Sequence, residues 1–216
     1  LKIVLMSDPR VAAIPVQDCG EELIDIWASG LFLVDQGKQD SDGHFAHLRH
    51  GLIERLEHAQ RLLPTEFRLL VVEGYRPPAL QRAYFEEYAT KLRRGNPDWS
   101  DSRVHEAASR YVSPPEIAPH SAGAAVDLTL AAPDGQEVDM GTRMNASPEE
   151  SDGACYTHAN SISGAARAHR DTLCRVMSAA GFVNYPTEWW HFSYGDRYWA
   201  LHTGQAAAVY GPCDRT

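Results

Sequence analysis

The first 44 residues carry no sustained hydrophobic periodicity, and the pattern becomes regular only beyond them. Residues 45–63, FAHLRHGLIERLEHAQRLL, put Leu48, Leu52, Leu56 and Leu63 with Ile53 and Ala59 on one stripe, which predicts an amphipathic helix stopped by Pro64. FRLLVVEGYRPP (67–78) is a short apolar run ending at Gly74, so it reads as a buried strand that delivers Tyr75 and Arg76 to a loop. A helix over 79–95 follows from Leu80, Tyr84, Tyr88 and Leu92 at four-residue spacing, with basic residues in the last turn and Gly95 as the stop. A shorter helix is expected over 102–112 and another over 161–181, ended by Gly181.

Between them, AAVDLTL alternates: Val126, Leu128 and Leu130 share one face of a strand, and Ala125, Asp127 and Thr129 the other. Asp134-Gly135 can turn the chain back through QEVDM, and the aromatic segment 188–202 reads as a hairpin around Gly195-Asp196. Helices flanking an antiparallel sheet, without regular β-α-β alternation, predict an α+β fold. A chain of 216 residues suits one well-cored domain over 1–216.

Composition then narrows the ligand. With 20 basic against 29 acidic residues and a net charge of -9, the chain lacks the basic footprint of nucleic-acid or anionic-membrane binding, and a small-molecule substrate is expected. No apolar stretch is long enough to span a bilayer, so no membrane span is expected. The four cysteines lie far apart without a C-x-x-C pair, which excludes a cysteine zinc finger and predicts separate, mostly buried thiols. The cytoplasm is the expected compartment. A periplasmic or secreted location is the alternative, because the sequence starts at Leu1 and four cysteines would permit disulfides.

The chemistry starts at PHSAGAAVDLTL (119–130), where His120 precedes Asp127 by seven residues with only small side chains and one valine between. Chance alone supplies that spacing roughly 0.7 times in such a chain, so the pair needs company. Glu188-Trp-Trp-His191 provides it from the same predicted sheet. A catalytic zinc takes three protein ligands drawn from His and carboxylate and keeps one position open, and His120, Asp127 and His191 make that set. Glu188 can then stand beside the open position as a general base without ligating. The small residues let two ligands from one short segment converge and leave room for substrate. The competing reading is a turn and a core strand whose His120 and Asp127 are merely hydrogen-bonded.

The other histidines fit no such site. His44, His47 and His50 read as one solvated helix face, and His105-Glu106 fails the H-E-x-x-H pattern because residue 109 is Ser. Trp189 and Trp190 read as core residues that also flank the site and can wall a substrate pocket.

Taken in order, G-Y-R-P (74–77), H-S-A-G-A-A-V-D (120–127), V-D-M-G-T (138–142) and E-W-W-H (188–191) resemble the vancomycin-resistance-type D-alanyl-D-alanine dipeptidases. These are zinc peptidases related to the D,D-carboxypeptidases and to the hedgehog-like fold, and the resemblance spans about residues 45–200. It implies one zinc ion on His120, Asp127 and His191, with Glu188 as base and Arg76 steadying the tetrahedral intermediate. The substrate it implies is a small dipeptide such as D-Ala-D-Ala. A D,D-carboxypeptidase or endopeptidase acting on cell-wall peptides is the alternative, and so is a non-enzymatic zinc-containing binding module. The module has no need of Glu188 and Arg76, which favours the enzyme.

Two positions depart from the family pattern. Ala118 stands where those dipeptidases carry Ser, and Asn145 where they carry an Asp that meets the substrate amine. Glu149, Glu150 and Asp152, just beyond Asn145, are candidates to replace that charge; a solvated acidic loop is the plainer reading.

Overall fold

The computed structural model describes residues 3–28, 30–37 and 42–214. Its centre is a five-stranded sheet built from β2 (Leu33–Val34), β4 (Arg68–Glu73), β5 (Ala125–Ala131), β6 (Val183–Asn184) and β7 (His191–Ser193). The order is β2-β4-β5-β7-β6; β2 pairs parallel to β4 and every other pairing is antiparallel. A separate two-stranded ribbon joins β1 (Leu23–Asp25) to β3 (His47–Arg49). The fold is α+β, as the sequence pattern predicts, with one parallel edge that the pattern did not foresee.

The alternation in β5 decides where the site lies. Val126, Leu128 and Leu130 enter the main core beneath α2 (His50–Leu62) and α5 (Gly164–Ala179). Those helices contribute Leu52, Ile53, Leu56 and Ala59 from one and Leu173, Val176 and Met177 from the other, as their apolar stripes require. Asp127 and Thr129 face the opposite way, yet every residue of β5 is buried, so the polar face is covered as well. On that side stand α3 (Pro78–Gly95) and α4 (Asp101–Ala108), which share a small core of Phe85, Ala89, Val104 and Ala108. The N-terminal α1 (Pro9–Ala13) and the C-terminal α6 (Arg197–Thr203) are neighbours.

Three sequence expectations change. The helix expected from residue 45 starts only at His50: residues 44–46 form a short 3₁₀ turn, and His47–Arg49 pairs with β1 instead. His47 is therefore buried, its Nδ1 donating to the Gly43 carbonyl, and the three histidines do not form one solvated face. The hairpin over 188–202 is not formed. β7 pairs with β5 and β6, and Asp196 caps α6 by accepting from the Tyr198 and Trp199 backbone N–H groups, so the Gly-Asp pair marks a helix start. The helices expected over 102–112 and 161–181 are shorter, ending at Ala108 and covering 164–179. All four cysteines are free thiols.

Arg170 ties α5 to the 140–156 loop that runs toward the site. Its guanidinium donates to the carbonyl oxygens of Met140 (2.7 Å), Tyr156 (2.7 Å) and Ala154 (2.8 Å) and lies against the Trp189 ring. Burial, with Arg167 nearby, brings its pKa down to about 10, so the group stays charged at neutral pH. Arg170→Met leaves the Met140 and Ala154 carbonyls without this donor. At about 1–3 kcal/mol for each unsatisfied group, a loss of roughly 2–4 kcal/mol is expected. Thermal unfolding followed by circular dichroism should show a Tm lower by roughly 5–10 °C; an unchanged Tm would remove the clamp from the account.

Candidate active site

His120 sits on a 3₁₀ turn, Pro119–Ala122, that hands the chain to β5. Gly123 closes this turn at φ 62°, and a Cβ there would lie 2.3 Å from Leu23 Cδ2, so the glycine of the motif is required twice over. Ala124 and Ala125 are fully buried. Asp127 is the third residue of β5, in register with Glu73 of β4 on one side and His191 of β7 on the other. Three neighbouring strands thus present Glu73, Asp127 and His191 in one row.

The histidine and aspartate atoms meet at one point. His120 Nε2 lies 3.2 Å from His191 Nδ1, His191 Nδ1 lies 2.9 Å from Asp127 Oδ1, and His120 Nε2 lies 3.3 Å from the same oxygen. All three side chains are buried. His120 Nδ1 donates to the Gly74 carbonyl oxygen at 2.7 Å, which leaves Nε2 with its lone pair toward the point. His191 Nε2 is buried with no hydrogen-bond partner among the described residues, and the Tyr185 ring packs edge-on against the imidazole. Burial alone would push the Asp127 carboxyl up, but the two imidazoles outweigh it and hold the group far below the usual carboxylate range.

Donors on a tetrahedron with arms of about 2.0–2.1 Å stand about 3.3–3.4 Å apart, close to these separations. The two nitrogens and one carboxylate oxygen are borderline-to-hard donors that suit zinc. The residues present fit a zinc ion.

Glu188 stands apart from the three, its Oε2 3.9 Å from His191 Nδ1. It lies on the tight connection between β6 and β7, where Asn184 Nδ2 donates to both the Glu188 and His191 carbonyl oxygens. That asparagine fixes the spacing of acid and ligand and escaped the sequence reading. Arg76 follows β4, with Nε donating to Glu73 Oε1 at 2.6 Å and Nη1 to Gln81 Oε1 at 2.7 Å. Burial works against its charge, but Glu73 more than compensates and the guanidinium pKa is raised. Glu73 and Gln81 were likewise missed. A strand ending in Glu-Gly-Tyr-Arg holds the signal for the first, since i and i+3 meet when the strand breaks at Gly74.

These groups line a cavity of about 370 Å³ between the sheet and α3, shared by Arg76, His120, Asp127, Glu188 and His191. Trp190 and Asn145 line it too, as does Ala118. Trp189 does not: its indole donates to Thr142 Oγ1 and packs against Arg170. The acidic loop is also outside. Glu149 borders a neighbouring cavity, Glu150 pairs with Arg143 at 2.7 Å, and Asp152 is exposed. Tyr111, unnoticed in the sequence, lines the active-site cavity and donates its hydroxyl to the Asn145 carbonyl oxygen; burial, with Glu188 nearby, pushes its phenol up.

Residues 43–206 match the peptidase family described as D-Ala-D-Ala dipeptidase, M15. The chain belongs to that family of metallopeptidases. It is 32% identical to a D-alanyl-D-alanine dipeptidase of Synechocystis sp., over 89% of this chain and 90% of the relative. A D-alanyl-D-alanine dipeptidase of Enterococcus faecium is 33% identical over 65% of this chain and 69% of its own. Among solved structures, the LdcB LD-carboxypeptidase superposes with a TM-score of 0.49 at 13% identity, covering 89% of this chain and 77% of that one. No helix among the described residues is long and apolar enough to cross a membrane.

Proposed function

We propose that this family member is a zinc-dependent dipeptidase acting on D-Ala-D-Ala or a closely related short D-amino-acid dipeptide. In this reading residues 1–216 act as one domain whose main core runs from Ile26 to Tyr210. The observation that carries the reading is the convergence of His120 Nε2, His191 Nδ1 and Asp127 Oδ1 at mutual distances of 2.9–3.3 Å inside a cavity that also holds an acid and an arginine. The dipeptidase names of its relatives supply the substrate class.

Zinc, when bound, supplies Lewis-acid polarisation of the scissile carbonyl and eases deprotonation of water. The protein does the rest. Glu188 takes one proton from the attacking water and returns it to the departing amine nitrogen, so that one peptide and one water become a carboxylate and an amine. Arg76 is held by Glu73 and Gln81 through Nε and Nη1, and its Nη2 is left to donate to the oxygen on which negative charge develops. The carbonyl of Gly74 holds His120 in the tautomer that turns Nε2 inward.

Elemental analysis of protein purified without added metal should find about one zinc per chain, with release of D-alanine from D-Ala-D-Ala. His120→Ala and His191→Ala should lose the metal and the activity together. Full zinc occupancy in both variants would sink the site.

A further inference from the structure

The cavity is longer than a dipeptide. Gln81, Tyr84, Glu87, Tyr88 and Lys91 all line it from one stripe of α3. At 1.5 Å per residue, the ten residues from Gln81 to Lys91 extend the wall about 15 Å. An extended dipeptide spans about 7 Å. The reaction centre lies at the Gln81 end, because Gln81 is hydrogen-bonded to Arg76. The outer half of the wall therefore faces nothing that a dipeptide supplies. It carries an exposed carboxylate on Glu87 and an ammonium on Lys91, and neither forms an ion pair among the described residues although they lie one turn apart. Tyr111 stands opposite, with its ring 5.0 Å from that of Tyr88, and the two close the outer half off from the neighbouring cavity.

We infer that this outer half is a subsite for a peptide extension on the amino side of the substrate, with Glu87 receiving the free N-terminal ammonium. The inference rests on the peptidase reading above. Its direction comes from charge: of the carboxylates lining the cavity, Asp127 and Glu188 belong to the reaction centre, and Glu87 alone remains to meet an amine. Its length comes from the helix. Gln81 to Glu87 is about 9 Å, which two extra residues at about 3.5 Å each, added to the penultimate residue, bridge. The best substrate is accordingly a tetrapeptide that ends in D-Ala-D-Ala and keeps its amine free. The tyrosines fit an extended backbone passing between them.

The test compares kcat/KM of the zinc-loaded protein for D-Ala-D-Ala, Gly-Gly-D-Ala-D-Ala, its N-acetyl form and D-Ala-D-Ala-Gly-Gly, with products identified by mass spectrometry. The free tetrapeptide extended on the amino side should be cleaved about tenfold better than the dipeptide, and N-acetylation or Glu87→Gln should each remove about fivefold of that advantage. The two changes together should cost no more than either alone, since both abolish the same charge pair. A second readout is binding: Gly-Gly-D-Ala-D-Ala should bind the Glu188→Gln protein several-fold more tightly than Glu87→Gln/Glu188→Gln. If the dipeptide is cleaved and the tetrapeptide is no better, or if Glu87→Gln leaves the preference untouched, the subsite is refuted while the peptidase stands. A preference for D-Ala-D-Ala-Gly-Gly overturns the direction and with it the inference. Hydrolysis of none of the four removes the peptidase reading and the subsite together.

Discussion

Glu188→Gln lowers kcat/KM for D-Ala-D-Ala by about two to four decades and leaves zinc content and Tm at their wild-type values. The direction follows from geometry. Asp127 Oδ1 lies 2.9 Å from His191 Nδ1, inside the ligand set, whereas Glu188 Oε2 lies 3.9 Å from the same nitrogen and outside it. A carboxylate in that position can accept a proton without competing for the metal. Glutamine keeps the volume and can still donate and accept hydrogen bonds, but it cannot shuttle a proton. The backbone should not move, because Asn184 holds the Glu188 carbonyl rather than its side chain. The measurement is a set of three on one preparation: kcat/KM, zinc by elemental analysis, and Tm. Activity within tenfold of wild type would take Glu188 out of the chemistry, and zinc loss would make it a ligand instead.

What made this site legible in sequence was its compactness along the chain. His120 and Asp127 belong to one turn-strand segment, and Glu188 and His191 to one strand connection, so short-range spacing preserved both pairs. The small residues between the first pair report a real constraint, the positive φ and close packing at Gly123. The groups that stayed hidden act over longer separations or through generic chemistry. Gln81 reaches Arg76 from the next helix, Tyr111 reaches Asn145 across 34 residues, and Asn184 acts through an ordinary side-chain amide. The misread segments failed for a local reason. Gly195-Asp196 satisfies the rules for a turn and for a helix N-terminus equally, and only tertiary packing selects the helix. Residues 45–49 carry a helical stripe, but β1 offers strand pairing that only the folded chain brings near. The acidic loop 149–152 was read by charge, which says nothing about direction, and the chain turns it away from the cavity.

The arginine gives the sharpest test of how much the protein itself contributes to the reaction. Arg76→Ala should lower kcat by about two to three decades, the usual cost of roughly 2.7–4 kcal/mol for removing one donor to a developing oxyanion, with zinc retained. Arg76→Lys should recover less than one decade of that loss. The guanidinium uses two nitrogens to hold its own position, Nε on Glu73 and Nη1 on Gln81, and has a third to present to the substrate. A lysine is a point charge on a flexible stem, and the Glu73 carboxylate would take its ammonium away from the cavity. The same logic separates Glu73 from a bystander. Glu73→Gln removes the charge that keeps the buried guanidinium raised in pKa, and it loosens the grip on Nε while preserving the shape. It should cost one to two decades in kcat with KM changed less than threefold, because the donor is misplaced for the transition state rather than for the ground state. Steady-state kinetics of Arg76→Ala, Arg76→Lys, Glu73→Gln and the Glu73→Gln/Arg76→Ala double variant check this directly. In the double variant the loss should equal that of Arg76→Ala alone, since Glu73 acts only through the arginine; additive losses would show that Glu73 touches the reaction by another route.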